Sequence, residues 1–434
     1  MKNEVKELIN YKNKWVIDIF DIKKHLSSNH NKINLAPQKI KSPLVGFFFI
    51  LGLLKIIELY FRQRNHEHSL LKEETKHLVA DTSHGYKGDL SYRHSNYFLI
   101  FNPEKKIDYL IFDCFDKKVF TKLMKLDFKQ IYTHLKTNYQ QLSKVYNSIN
   151  SSKLKSIILL NSAKNLGTLS YFCAFFEKLS KEREDVSLFH GGAVFISHAA
   201  SLSSIKNHYL THGLVPIYEI NPLTLPRYDS VYIYSKEEKN HIEKLLPDSQ
   251  VEMYPIKKIK NKNNKIIFFV QPAAGSVSHL EQGGGVPEDD PYKDLTEINK
   301  LIEVIELLQS FKYELIIKYH PSYTNSDIID NISNSYQAEL ISDKEIKAHE
   351  LIYTEKPSFT VNWASTSVCE SLISGVIPLC LSDPKDSWVD EEVHIYPFKK
   401  RSLFWEKKED KEIFISLLKK KERYEEILNY LNYR

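Results

Sequence analysis

From Tyr97 onward, short apolar runs alternate with longer amphipathic segments. The runs "YFLIF" (97–101), "IDYLIFD" (107–113), "LKSIILLNS" (154–162), "DVSLFHGG" (185–192), "YLTHG" (209–213) and "YDSVYIYS" (228–235) have strand length. Between them, "GTLSYFCAFFEKLSKE" (167–182), "SHAASLSSIKNH" (197–208) and "KEEKNHIEKLL" (236–246) predict helices. Strands that alternate with helices imply parallel β-α-β units. The stretch before about residue 96 is the least readable; only "KWVIDIFDI" (14–22) suggests a strand there.

A polar segment rich in Lys and Asn, 251–264, interrupts the pattern and suits a linker. The alternation then restarts. "KIIFFVQP" (265–272), "YELIIKYHP" (313–321), "AELIS" (338–342), "SFTVNWA" (358–364) and "VIPLCLSD" (376–383) predict strands. "TEINKLIEVIELLQSF" (296–311) places Ile298, Leu301, Ile302, Ile305 and Leu308 on one face of a helix. "STSVCESLISG" (365–375) reads as a short helix and 409–431 as a charged one. The reading is thus α/β, with an N-terminal Rossmann-like domain (1–250), a linker (251–264) and a C-terminal Rossmann-like domain (265–434). Parallel sheets bind ligands beyond the carboxyl ends of their strands, so two such domains facing across a cleft would suit a two-substrate enzyme.

Composition narrows the partners. The formal charge of +5 comes from 60 basic and 55 acidic residues, and only eight of the basic residues are Arg. That is no nucleic-acid footprint, because Arg supplies the planar fork for phosphates and base edges. The four Cys lie in no CxxC spacing, which predicts free thiols in a reducing cytosol. The N-terminus lacks the apolar core of a secretory signal, so a cytoplasmic protein is expected. No DxD at a strand end and no CxxC supports a metal, and no cofactor is predicted. The apolar run Leu44–Leu54 spans 11 residues, short of the roughly 20 a spanning helix needs. It reads as a core helix, or as an interfacial helix making peripheral membrane contact with Lys55, Arg62 and Arg64 near head groups.

Candidate chemistry sits at strand ends. "ELIIKYHPSY" ends a strand in His320-Pro321, where a His either is incidental or donates to a phosphate. Ser365, Thr366 and Ser367 open the short helix. Ser367-x-x-Glu370 has capping-box spacing, and Gly375 stands where the helix should stop. The same helix start could offer N–H groups and hydroxyls to a phosphate, with Glu370 accepting from ribose hydroxyls instead of capping. His212-Gly213 and His190-Gly191-Gly192 each end a strand in an imidazole that could accept a proton or could be a polar turn residue. The long loop 273–294, with Gly283-Gly284-Gly285, is either a lid or an insertion.

His-Pro at one strand end and Ser-Thr-Ser-x-x-Glu about 45 residues later come in the order expected of one nucleotide cleft. In this the chain resembles bacterial GT-B glycosyltransferases that carry His-Pro and Ser/Thr motifs. These include sialyltransferases, capsule or lipopolysaccharide Kdo transferases, and teichoic-acid glycerophosphotransferases. The resemblance covers roughly 154–381 at the level of motif order. It implies that His320, Pro321, Ser365, Thr366, Ser367 and Glu370 hold a nucleotide-sugar donor. The stretch "YLTHGLVPIYEINPLTLPRYDSVYIYSKEE" (209–238) resembles the His-Gly turn of the glycerophosphotransferases. That similarity implies His212 as general base, with His190 as its rival. The implied activity is transfer of a sugar, for instance a CMP-linked acidic sugar, to a glycan or glycolipid acceptor; a CDP-polyol phosphotransferase or a non-catalytic assembly protein is the alternative. The acidic pair followed by Gly that bacterial sialyltransferases carry does not occur here.

Overall fold

The computed structural model describes residues 44–64, 77–81, 109–112, 126–148, 152–191, 194–211, 215–216, 227–254, 258–260, 262–270, 295–319, 327–342, 346, 348–362, 367–381, 394–395, 401–419 and 423–433. They form two compact units. Unit 1 takes in Met1–Leu210, Tyr218–Tyr232 and Glu243–Val251; unit 2 takes in Thr211–Ile217, Ile233–Ile242 and Glu252–Arg434. Each contains a six-stranded sheet, and the α/β reading holds in both.

Along the chain the first elements are α1 (Leu44–Arg64), β1 (His77–Asp81), β2 (Tyr109–Phe112), α2 (Phe128–Ser148), α3 (Ser152–Glu182), β3 (Ser187–His190), α4 (Val194–Ser201), β4 (Lys206–Leu210), β5 (Val215–Pro216), β6 (Ser230–Ile233), α5 (Lys236–Leu245) and β7 (Gln250–Met253). The first sheet runs β2-β1-β3-β4-β6-β7, and β2, β1, β3, β4 and β6 pair in parallel. The first residues of the segment read as a linker thus belong to the edge strand β7.

The strand predicted at 154–162 is instead part of the 31-residue helix α3. A short apolar run fits a buried helix as well as a strand. Here the run continues into Leu166–Phe176, which is buried on every side, as a helix enclosed by its neighbours must be. Helices α1, α2 and α4 supply those neighbours. α1 and α3 approach backbone to backbone: a Cβ on Gly167 would stand 2.8 Å from the Gly52 carbonyl oxygen and 2.7 Å from the Lys55 Cβ. Lys55 therefore packs against α3 and pairs with Glu58 at 2.8 Å, and does not reach outward as a head-group contact. Among the described residues no helix is long and apolar enough to cross a membrane. The helix predicted over 197–208 spans Val194–Ser201, because Lys206, Asn207 and His208 belong to β4.

Unit 2 continues with β8 (Lys265–Phe269), α6 (Leu295–Ser310), β9 (Glu314–Lys318), α7 (Asp327–Ser335), β10 (Glu339–Ile341), α8 (Ala348–Glu355), β11 (Phe359–Asn362), α9 (Ser367–Ile373), β12 (Ile377–Cys380), β13 (His394–Ile395), β14 (Leu403–Phe404), α10 (Lys408–Lys419) and α11 (Tyr424–Tyr433). Its sheet is parallel throughout, in the order β10-β9-β8-β11-β12-β14. The central strands are buried along nearly their whole length, so they read as continuous apolar runs and not as alternation. Phe359 packs edge-on against Tyr313 and Phe414, and the Tyr424 hydroxyl donates to the Ser358 carbonyl at 2.6 Å, which ties α11 to the sheet.

Candidate functional site

The second sheet starts at β8 and grows outward through β9 to β10; the chain then returns to the other side of β8 with β11. Its order therefore reverses between β8 and β11, and at such a reversal the loops beyond adjacent strands part to leave a crevice. Asn362 ends β11 there, and Ser367 begins α9 five residues later. On the other side of β8, β9 ends at Lys318.

A closed ring of hydrogen bonds fixes the end of β11 to the start of α9. Asn362 Nδ2 donates to Thr360 Oγ1 at 3.3 Å, and Thr360 Oγ1 to Ser371 Oγ at 2.8 Å. Ser371 Oγ donates to the Ser367 carbonyl at 2.7 Å, and Ser367 Oγ returns to Asn362 Oδ1 at 2.5 Å. All four side chains are buried. Each group donates once and accepts once, so the bonds polarise one another and hold the helix start in one place.

The ring corrects the capping reading of Ser367. α9 begins at Ser367 itself, and its hydroxyl donates to Asn362 Oδ1. Glu370 lies buried in the first turn. The predicted stop is as read: Gly375 adopts φ 74°. Its N–H bonds the Leu372 carbonyl at 2.9 Å while the Val376 N–H reaches back to Ser371 at 2.8 Å, a Schellman closure.

A capping box does form at α5. Ser235 Oγ accepts the Glu238 N–H at 3.2 Å, and Glu238 Oε2 accepts the N–H groups of Ser235 at 2.6 Å and Tyr234 at 2.9 Å. Glu238 is fully buried, and burial pushes its carboxyl up to about 7 even though the Arg401 guanidinium opposes the shift. Arg401 is itself buried and donates to the carbonyls of Tyr234 and Leu431. All of these groups belong to unit 2.

The approach to His320 is held firmly. The Tyr319 N–H bonds the Ile341 carbonyl at 3.1 Å, and its hydroxyl donates to Asp330 Oδ1 at 2.8 Å. Lys318, buried at 3% exposure, donates Nζ to the Tyr319 carbonyl at 2.8 Å. A cation at the carboxyl end of β9 was not singled out from sequence, although one Lys inside an otherwise apolar run was its signal. His320, Pro321, Ser365, Thr366, His212 and Gly213 lie outside the described residues, as do Cys114, the 14–22 and 97–101 strands and the 273–294 loop.

His190 ends β3 fully buried, with Nε2 at 2.8 Å from Asn207 Oδ1. Burial lowers its pKa to about 3, so it stays neutral across the physiological range. Asn207 in turn donates to the Arg227 carbonyl at 2.9 Å, and its N–H to Asp229 Oδ2 at 2.7 Å. His190 therefore belongs to a polar knot that joins β3, β4 and the turn before β6. Cys173, Cys369 and Cys380 are buried free thiols. Among the described residues no group of three or more His, Cys, Asp or Glu could hold a metal ion. A recess of about 140 Å³ lies at the opposite, amino end of β4 and β6, lined by Ser201, Ser203, Ser204, Asn207, Arg227 and Asp229 among others.

No protein-family model matches the chain, and no curated protein matches it. Among solved structures, the S. aureus MnaA–UDP co-structure is similar over 82% of this chain and 92% of that one, at 11% identity and a TM-score of 0.38. A mutant of the Thermobaculum terrenum O-GlcNAc transferase is similar over 90% of this chain and 72% of that one, at 10% identity and a TM-score of 0.33. Likeness at this level decides nothing about chemistry.

Proposed function

We propose that the protein is a glycosyltransferase of the GT-B type whose unit 2 holds a nucleotide-sugar donor. The observation that carries this reading is the strand order of the second sheet, which reverses between β8 and β11. The strands that precede the two motifs resembling transferase donor contacts lie on either side of β8, β9 on one and β11 on the other. β9 leads into His320 and Pro321, and β11 leads into Ser365, Thr366 and the anchored Ser367. In this reading His320, Ser365 and Thr366 donate to the donor phosphate, and Lys318 adds positive charge at the end of β9. Ser367 acts by position, since its proton is held by Asn362. His212 accepts the proton of the acceptor hydroxyl. The acceptor oxygen bonds to the anomeric carbon while the bond from that carbon to the phosphate oxygen breaks. The nucleotide leaves with the electron pair, and donors aimed at its growing charge lower the barrier. The donor we favour is a CMP-linked acidic sugar, and the acceptor a bacterial surface glycan, both on the motif resemblance.

Calorimetric titration with CMP, CDP, UDP and GDP tests the reading on the wild type and on His320→Ala. CMP should bind ahead of UDP and GDP, and the variant should lose affinity and turnover together. A preference for UDP or GDP would replace the donor and spare the fold. Undiminished nucleotide affinity in His320→Ala, with no turnover in the wild type on any matched donor, would sink the enzyme reading.

A further inference from the structure

One side of α1 is apolar and wet. Ile50, Leu54 and Phe61 are 54%, 57% and 56% exposed, with the half-buried Ile57 between them. Steps of four, three and four residues put all of them on one stripe of a helix. The opposite side is occupied: Ile56 and Leu59 are buried, and Gly52 lies against Leu135 and Leu166. Among the described residues α1 is therefore covered on one side and leaves an apolar stripe open on the other.

The neighbouring helix says what fits the uncovered stripe. α2 carries Lys129, Lys136 and Lys144, all exposed, and not one carboxylate in its 21 residues. Ring contacts seat the two helices side by side: Phe49 with Tyr132 at 5.9 Å and with Tyr139 at 5.2 Å, and Tyr60 with Phe128 at 5.4 Å. At about 100° per residue, Lys129 and Lys136 lie within about 60° of Tyr132, on the outward side of that seam. Together the sequences of α1 and α2 hold six cationic residues against one carboxylate, Glu58, which Lys55 already pairs. Their net of +5 equals the formal charge of the whole chain, so the remaining residues sum to zero.

We propose that this α1–α2 face docks on an anionic lipid bilayer, with Ile50, Leu54 and Phe61 entering the interface and Lys129 and Lys136 meeting lipid phosphates. An apolar stripe beside a purely cationic one is the pattern of interfacial helices. Nucleic acid has no use for the stripe, and a soluble acidic protein would meet the lysines without requiring Leu54 and Phe61 in the open. The proposal stands apart from the glycosyltransferase reading and uses none of its residues.

Flotation of the whole protein with phosphatidylcholine vesicles, with and without phosphatidylglycerol, tests it. The protein should float with the anionic vesicles and not with the neutral ones, and added salt should weaken the association. Leu54→Glu with Phe61→Glu, and separately Lys129→Glu with Lys136→Glu, should each lower the partition coefficient about tenfold or more. Circular dichroism and thermal unfolding, measured alongside, show that each variant is folded. Absence of flotation overturns the proposal, as does flotation that either folded pair leaves unchanged. A dimer that Leu54→Glu with Phe61→Glu splits, in a protein that ignores vesicles, would also overturn it and make the face a contact between copies of the chain.

Discussion

The buried pair Glu238 and Arg401 should make unit 2 less stable as pH rises, and the effect can be sized. Glu238 has an ordinary value near 4.5 and is pushed up to about 7 in the fold. Its Oε2 is satisfied by two backbone N–H groups, but Oε1 is buried without a hydrogen-bond partner among the described residues. Between the two values the folded chain keeps a proton that the unfolded chain has released. Stability from this group is therefore fully present below about pH 4.5, falls as pH rises, and is lost above about 7. At 1.36 kcal/mol per unit, the difference is about 3 kcal/mol. Urea unfolding followed by tryptophan fluorescence reads unit 2 well, since Trp363, Trp388 and Trp405 belong to it and Trp405 is buried. Glu238→Gln keeps an acceptor for the capped N–H groups and removes the titration, so the fall between pH 5 and pH 8 should shrink by roughly 2–3 kcal/mol. Arg401→Met strips the cation that opposes the shift, and should cost about 3–5 kcal/mol at pH 8. At pH 5 the cost should be smaller, because Glu238 is then protonated. In the Glu238→Gln background that extra cost at pH 8 should vanish. Equal pH slopes for wild type and Glu238→Gln would refute the reasoning, whatever Arg401→Met does.

Two further outcomes follow from close backbone contacts. Gly375→Ala should lower the unfolding free energy of unit 2 by about 1–3 kcal/mol in the same urea assay, since it forces a side chain to φ 74° and brings its Cβ to 2.9 Å from Lys258 Cα. Gly167→Val should destabilise unit 1 by about 1–3 kcal/mol or more, because the added carbon meets the Gly52 carbonyl at 2.8 Å and a carbonyl on the helix backbone cannot swing aside; thermal unfolding by circular dichroism reads the shift.

The second unit was more legible than the first, for a physical reason. β8, β9, β11 and β12 are buried on both faces and bounded by Gly, Pro or polar residues, so each stands out as an isolated apolar run. In the first unit β1 has only Leu78, Val79 and Ala80 as apolar residues amid His, Lys and Glu, and its place between β2 and β3 is decided by its partners. β4 was overrun by a predicted helix because Asn207 and His208 are polar, yet Asn207 is buried for the bonds it makes to His190 and the turn before β6. α3 shows the converse: Ile157–Leu160 is apolar enough for a core strand, and only the long enclosed continuation to Phe176 makes it helix.

The candidate site gives the sharpest case, because one spacing occurs twice with opposite outcomes. Ser235-x-x-Glu238 and Ser367-x-x-Glu370 both match a capping box. At the first, the helix begins one residue after the serine, and the reciprocal bonds form. At the second, the helix begins on the serine, whose hydroxyl is taken by Asn362 at the end of β11. Asn362 is five residues upstream and across a strand end, so no local spacing rule sees it. Its bond holds Ser367 at the first residue of α9. The strand-end amide, which no sequence motif pointed to, is therefore the described residue that fixes the start of α9 to the end of β11.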